Sequence, residues 1–292
     1  MTVSEWLREA AARLAISPAW QGPDVLLSPR REAEWLLAAS LTRTMTWLLT
    51  WPDKALTAEE RDQADRWLRQ RCRGVPLAYL TGEREFWSLP LRVTADTLVP
   101  RPDSERLVEV ALACWPPADA PRVLDLGTGS GALALALKQE RPDAQLTAVD
   151  RSEAALAVAA GNGERLALPV RWLQGDWFSP VGDERFHLVV SNPPYLAPDD
   201  PHLDSLQHEP RTALVADEDG LADLRRLCRD APAHLLPGGW LLLEHGAAQA
   251  SAVRDLLTAA GFAQVRSWQD LGGCDRVSGG CLPVASEHDH AE

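Results

Sequence analysis

The chain is short of several things, and each shortage closes off a class of protein. Its five cysteines, Cys72, Cys114, Cys228, Cys274 and Cys281, are scattered and form no CxxC pair. Neither a zinc site nor a disulfide framework is indicated. No apolar run approaches the roughly 20 residues that a membrane span needs. The opening stretch MTVSEWLREAAARLA carries Glu5 and Glu9 and reads as an amphipathic helix, not a secretion signal. A cytoplasmic protein with no membrane contact is expected. Positive charge is scarce too: 29 Lys and Arg stand against 42 Asp and Glu, a formal net charge of −13. Proteins that live on phosphate backbones usually carry a basic face. The run Arg66, Arg69, Arg71 and Arg73 reads better as a solvated helix face. Direct nucleic-acid binding is therefore not expected; a protein or small-molecule substrate is.

Length and apolar content are ample, with 292 residues and 46% hydrophobic. Val3, Trp6, Leu7, Ala10 and Leu14 recur at helical spacing. Ser28-Pro29 starts a second helix that carries Leu36, Leu37 and Leu41 on one face. Thr57 with Glu60 makes a capping box, and Gly74 ends that helix. Six of the twelve tryptophans precede residue 70; core packing of a small bundle accounts for most of them, with a solvent-facing minority available to a partner. Alternation around Leu89-Pro90-Leu91-Arg92-Val93 predicts a β-hairpin. Beyond Asp103 the segments RVLDLG, QLTAVD, VRWLQGD, FHLVVSN, WLLLEH, AQVRSWQD and DRVSGGCLP read as strands, with helical patterns between the first five. The expected organisation is a helical domain over 1–74, a hairpin linker over 75–102, a doubly wound α/β domain over 103–284 with an antiparallel closing hairpin, and a frayed acidic tail over 285–292. His288 and His290 in that tail read as part of the terminus, and no metal site is expected.

VLDLGTGSGALALAL is a strand, a turn with Gly127, Gly129 and Gly131, and a helix. Glycines let the backbone pass close under a ligand, and the helix start offers unpaired amides. A dinucleotide is the first candidate, but the spacing is G-x-G-x-G, and Asp125 two residues upstream would oppose a pyrophosphate. A carboxylate there suits a cation. S-adenosylmethionine offers an ammonium and a sulfonium and no phosphate. Asp150, closing the next strand about 20 residues on, is placed to accept ribose hydroxyls, with Ser152 as cap of the helix behind it. After the third strand, Asp176 can accept from an adenine amine and Trp177 can stack on the ring.

The fourth strand ends in Asn192-Pro193-Pro194-Tyr195. Two prolines in a row end any ladder and fix the backbone. The Asn192 side-chain oxygen and the Pro193 carbonyl are suited to accept the two hydrogens of a planar –NH2, and Tyr195 to cover its face. An amide nitrogen is a poor nucleophile, so orientation and polarised N–H groups must supply the rate, with no strong general base obligatory. A base amine of a nucleic acid is also a planar –NH2, which leaves a nucleic-acid amino-methyltransferase as the alternative. A catalytically silent S-adenosylmethionine-binding or scaffold protein is the other.

The segments PLAYLTGEREFWSLPLRV, LVPRPDSERLVE, VLDLGTGSGALALAL, DWFSP, SNPPYLAP, EPRTALVADEDGL and LLEHG resemble the HemK/PrmC family, the peptide chain release factor N(5)-glutamine methyltransferases. The resemblance runs along nearly the whole chain and implies a Rossmann-like class I methyltransferase fold. It implies methylation of the glutamine in the Gly-Gly-Gln motif of class 1 release factors by S-adenosyl-L-methionine, leaving S-adenosyl-L-homocysteine. It carries cofactor binding onto Gly127, Thr128, Gly129, Ser130, Gly131, Asp150, Trp177 and Asn192, and the substrate amide onto Asn192, Pro193, Pro194 and Tyr195. It implies that the N-terminal bundle helps hold the release factor, and that Arg101 and Glu209 are supporting or salt-bridging residues. Ser104 stands where the family has threonine, keeping a hydroxyl for a helix cap. His245 replaces a small or apolar residue and reads as a satisfied core histidine. Cys274 and Asp275 replace glycine or arginine types, leaving local contacts at that edge open.

Overall fold

The helices are set by their first residues. Thr2, Ser28, Thr44 and Thr57 each accept a backbone N–H from the first turn of the helix they precede. Thr2 and Thr57 complete capping boxes with Glu5 and Glu60. The computed structural model describes residues 1–17 and 28–284, so Trp20 and the acidic tail with His288 and His290 lie outside the described residues. The chain divides into two units, Met1–Glu83 with Asp199–Glu209, and Arg84–Pro198 with Pro210–Glu292.

The first unit holds helices Val3–Ala15, Pro29–Ser40, Met45–Thr50, Ala58–Cys72 and Leu77–Thr81. All five periodic residues of the first helix are buried against Ala33, Leu36, Leu37, Leu48, Ala64 and Leu68. Trp6 is in this core and its indole N–H donates to Asp65 Oδ1 at 2.8 Å. Trp47 and Trp67 pack on its margin, while Trp35 and Trp51 are 46% and 55% exposed. The arginine run is not one face: Arg71 is buried and ion-paired with buried Glu32. A buried guanidinium needs such a partner, and the helix turns it inward to meet one.

The second unit begins with a hairpin, β1 (Glu83–Phe86) and β2 (Leu89–Arg92). Phe86, Leu89 and Leu91 join the same core as Leu107, Leu135, Leu188 and Val190. Asn162 clamps β2 from below, accepting from Arg92 N at 2.8 Å and donating to Arg92 O at 3.0 Å. The main sheet contains β3 (Arg122–Leu126), β4 (Gln145–Asp150), β5 (Arg171–Gln174), β6 (Phe186–Ser191), β7 (Leu235–Glu244), β8 (Ala263–Gln269) and β9 (Asp275–Cys281). Its order is β5-β4-β3-β6-β7-β9-β8, parallel up to β7, with β9 antiparallel to both neighbours. Apolar residues fill both faces, as a covered parallel sheet requires. The doubly wound sheet and its closing hairpin are those the sequence predicts.

The direction of winding reverses at β3. The chain steps outward to β4 and β5, then returns to lay β6 on the other side of β3. Loops therefore diverge at the carboxyl ends of β3 and β6, which opens a crevice there. Leu126 pairs with Ser191 in the ladder, so Gly127 and Asn192 leave the sheet side by side.

Candidate active site

Within the second unit a cleft with about 730 Å³ of empty space, open to solvent, lies over these strand ends. Of the residues singled out by sequence, Gly127, Gly129, Asp150, Asp176, Trp177, Asn192 and Pro194 line it. Gly127 and Gly129 have φ of +73° and +56°. Nothing lies within 4 Å of where a Cβ on Gly129 would project. The backbone is thus bare toward the cleft at a conformation that L side chains disfavour.

Asp150 is oriented by the turn it faces. Its Oδ2 accepts from Gly129 N and its Oδ1 from Ser152 N, both at 2.9 Å. Each oxygen keeps a further lone pair for a ligand hydroxyl. Ser152 caps the following helix, accepting from Ala155 N at 3.2 Å. The Asp176 carboxylate lines the cleft but pairs with Arg226 at 2.6 Å. The Trp177 ring lies beside Gly127, 3.4 Å from the position of an added Cβ, with its own φ at +49°. Burial raises the neighbouring Asp223 carboxyl, and the Trp177 side chain, hydrogen-bonded to it, draws it back.

Thr128, Ser130 and Gly131 do not line the cleft. Thr128 and Ser130 are buried. The Thr128 hydroxyl donates to Asp125 Oδ2 at 2.6 Å, and the Ser130 carbonyl accepts from Asn162 at 3.0 Å. A Cβ on Gly131 would come within 3.1 Å of Leu135 and Trp172, so this glycine serves close packing beneath the turn. Asp125 is likewise not at the surface of the cleft. It is fully buried, Ala134 N donates to its Oδ2 at 3.3 Å, and its Oδ1 has no partner. Burial pushes this carboxyl up to about 7, against the hydrogen bonds from Thr128 and Ala134.

Asn192 and Pro194 line the cleft and are half-buried, whereas Pro193, which is buried, and Tyr195, which is half-buried, are not among its lining residues. Among the described residues no backbone or side-chain group donates to the Pro193 carbonyl, consistent with a strand that stops at Ser191. The Tyr195 carbonyl accepts from Gln249 Nε2 at 3.0 Å. Leu196 bridges Val215 through Leu196 N to Leu214 O and Ala216 N to Leu196 O, each 3.0 Å. The EPRTALVA segment thereby steadies the loop after the prolines. Burial holds the Tyr195 hydroxyl far above the ordinary phenol range, with Glu244 adding to the shift.

Ser104 does not cap its helix: its side chain makes no cap hydrogen bond. The hydroxyl turns inward and accepts from Asn192 Nδ2 at 3.1 Å. His245 is fully buried and satisfied, Nδ1 on Gly246 O at 2.9 Å and Nε2 on Ser278 Oγ at 2.7 Å. Desolvation keeps it neutral by lowering its pKa. Asp275 sits 3.7 Å from Arg254, and Cys274 N donates to Asp270 at 3.0 Å. Arg101 belongs to the second unit; Glu209 belongs to the first and is buried. Sequence reasoning passed over Glu244, Asp223 and Leu98. Glu244 carried the same signal as Asp150, an acid closing an apolar strand; Leu98 and Asp223 come from loops and helices whose approach no local pattern encodes.

The residues fit S-adenosylmethionine. Asp96, Asp150 and Asp223 line the cleft with one cation, Arg151, among its lining residues, while Asp176 is already paired with Arg226. Such a balance opposes a pyrophosphate and favours a positively charged ligand. Val149, Leu98, Ala155 and Trp177 supply apolar wall for a base. Asp150→Ala is expected to weaken cofactor binding about 10- to 100-fold by calorimetry, the loss of hydrogen bonds to a charged acceptor. Unchanged affinity would remove Asp150 from the site.

Solved structures place the fold in a class. The chain matches a methyltransferase from Pyrococcus furiosus with a TM-score of 0.52 at 19% identity, covering 67% of this chain and 90% of that one. It matches the Thermus thermophilus 16S rRNA N2 G1207 methyltransferase, solved with S-adenosylmethionine and guanosine, with a TM-score of 0.51 at 20% identity, covering 68% and 49%. The architecture is that of a class I S-adenosylmethionine-dependent methyltransferase. Residues 5–82 match the PrmC N-terminal domain and residues 108–210 the methyltransferase small domain. The release factor glutamine methyltransferase of Salmonella typhimurium is 47% identical over 96% of this chain and 99% of its own length. That of Escherichia coli K12 is 46% identical over 95% and 98%. That of Pseudomonas aeruginosa is 49% identical over 86% and 92%. The chain belongs to the release factor glutamine methyltransferase family.

Proposed function

We propose that this protein methylates the side-chain amide nitrogen of the glutamine in the Gly-Gly-Gln motif of class 1 release factors. The observation that supports the reading is the last ladder pair, Leu126 with Ser191, after which Gly127 and Asn192 leave adjacent strand ends; a cofactor over the glycine turn would then lie beside the proposed amide acceptors. Bound over the glycine turn, S-adenosylmethionine supplies an electrophilic methyl on a sulfonium. The chain's part is to hold the acceptor. Asn192 Oδ1 and the Pro193 carbonyl accept the two amide hydrogens, and the Tyr195 ring covers one face of the carboxamide. These contacts polarise the N–H bonds and aim the nitrogen along the line of displacement. The nitrogen's proton passes to solvent water as its positive charge develops. With a raised pKa the Tyr195 hydroxyl stays neutral and acts by packing and hydrogen bonding, not as a base.

A net charge of −13 is consistent with a protein substrate over a nucleic acid. Among the described residues no helix is long and apolar enough to cross a membrane. The proposed substrate acts in translation, which makes the cytoplasm the compartment of action. Mass spectrometry of a purified release factor after incubation with enzyme and cofactor tests the reading. A single methyl on the Gly-Gly-Gln glutamine is expected; methyl incorporation into RNA or DNA alone would overturn it.

The helical unit is proposed to help hold the release factor. Leu49 and Trp51, 66% and 55% exposed, offer it apolar area. Leu49→Asp combined with Trp51→Ala is expected to raise the KM for intact release factor about tenfold, a loss of roughly 1.4 kcal/mol, with kcat unchanged. An unaltered KM would show that the substrate does not use this face.

A further inference from the structure

Glu244 closes β7 as a carboxylate after three buried leucines, Leu241, Leu242 and Leu243. Leu243 pairs with Ser191 in the sheet, so Glu244 lies one step past the ladder, beside Asn192. It is 1% exposed and its Oε2 has no hydrogen-bond partner. An incompletely satisfied buried carboxylate is destabilising, and such groups concentrate where a site needs them.

Its neighbours show what it does. The register sets Glu244 beside Asn192, whose Nδ2 bonds to Ser104 Oγ at 3.1 Å, and both of these polar side chains favour the charged form of the buried carboxylate. Asn192 Nδ2 donates to Ser104 Oγ, which leaves the single hydroxyl proton of Ser104 for Glu244. A carboxylate only accepts, so both groups must turn donors toward it. Asn192 then has one orientation: nitrogen inward, oxygen toward the cleft it lines. A flipped amide would set its oxygen against a buried anion.

We propose that Glu244, acting with Ser104, is a positioning residue that locks the Asn192 carboxamide with Nδ2 inward and Oδ1 presented to the substrate amide. The inference rests on the amide-holding reading above. Burial raises the Glu244 carboxyl to about 7, with Arg276 lowering it and Asp103 raising it. The Tyr195 hydroxyl, whose own shift Arg101 also influences, is coupled to it electrostatically, and buried His245 follows it immediately after β7. Below about pH 7 a protonated Glu244 can donate, and the lock on Asn192 is released.

The sequence contains only two asparagines, Asn162 and Asn192, so 15N-asparagine labelling yields two side-chain amide pairs. In the ligand-free full chain, the Asn192 pair is expected to titrate with a midpoint near 7, and Glu244→Gln to abolish that titration while the Asn162 pair stays unchanged. Glu244→Gln and Ser104→Ala are expected to lower kcat about 100-fold, the effect of a misaimed contact. KM for release factor, cofactor Kd and Tm should stay near wild type, and Ser104→Thr should restore turnover. The wild-type kcat should rise with pH through about 7 and that limb should vanish in Glu244→Gln. Asn192 signals indifferent to Glu244→Gln, or a variant with wild-type kcat, would overturn the inference. So would a parallel fall of kcat, affinity and Tm. A wild-type enzyme that leaves release factors unmethylated would instead defeat the functional reading, and the titration would still decide the Glu244–Asn192 coupling.

Discussion

Asn192→Ala is expected to lower kcat for release-factor methylation by about 10²- to 10³-fold, the scale of removing one preorganised hydrogen-bonding group from a transition state. The Ala side chain cannot accept an amide hydrogen, and the Pro193 carbonyl alone leaves the carboxamide free to rotate. The cofactor Kd should change by no more than a few-fold, because Asp150 and the glycine turn stay in place. Single-turnover rates at saturating cofactor and release factor, with calorimetry for the cofactor, separate the two effects. A variant that turns over normally would mean that the strand end holds the substrate in some other way.

Gly220→Ala should damage the same site from a distance. A Cβ at Gly220 would fall 2.1 Å from the Tyr195 carbonyl oxygen and 2.8 Å from its carbon. These are backbone atoms that cannot swing aside, and Gln249 holds the same carbonyl at 3.0 Å. Gly220 has φ of +81° and follows Glu218 and Asp219, both at +54°, so the turn has no slack in which to relax. Overpacking and the left-handed penalty together come to about 3 kcal/mol. A fall in Tm on the order of 5–10 °C is expected. Turnover should drop as well, since displacing Tyr195 moves the ring meant to cover the substrate amide. Unchanged Tm and turnover would show that Gly220 does not set this loop.

Much of the fold was readable in local pattern. The caps at Ser28 and Thr57, the apolar stripe from Val3 to Leu14 and the seven strands of the main sheet are short-range signals, and each appears where the sequence predicts it, except that β7 starts at Leu235, ahead of the predicted Trp240. The placement of Gly127, Asp150 and Asn192 on one cleft was readable for a related reason: in a doubly wound sheet, residues that close parallel strands meet at one edge. The roles assigned within the glycine turn were less readable. Thr128 and Ser130 are buried and take partners below the turn, Thr128 donating to Asp125 and the Ser130 carbonyl accepting from Asn162, 32 residues away, a demand of three dimensions. Ser104 shows the same limit. A hydroxyl before a helix reads as a cap, yet the partner it takes is 88 residues away.

The sequence by itself determined the alternation of strand and helix, the bare glycine turn, the acid closing β4 and the double proline that ends β6, because each is written in neighbouring residues through backbone geometry. Only the tertiary structure decided which way Asn192 points. That orientation comes from Ser104 and Glu244, brought to it from a helix start and from the adjoining strand. A buried carboxylate dictates the donors around it only once the chain has enclosed it, and enclosure belongs to no single stretch of sequence.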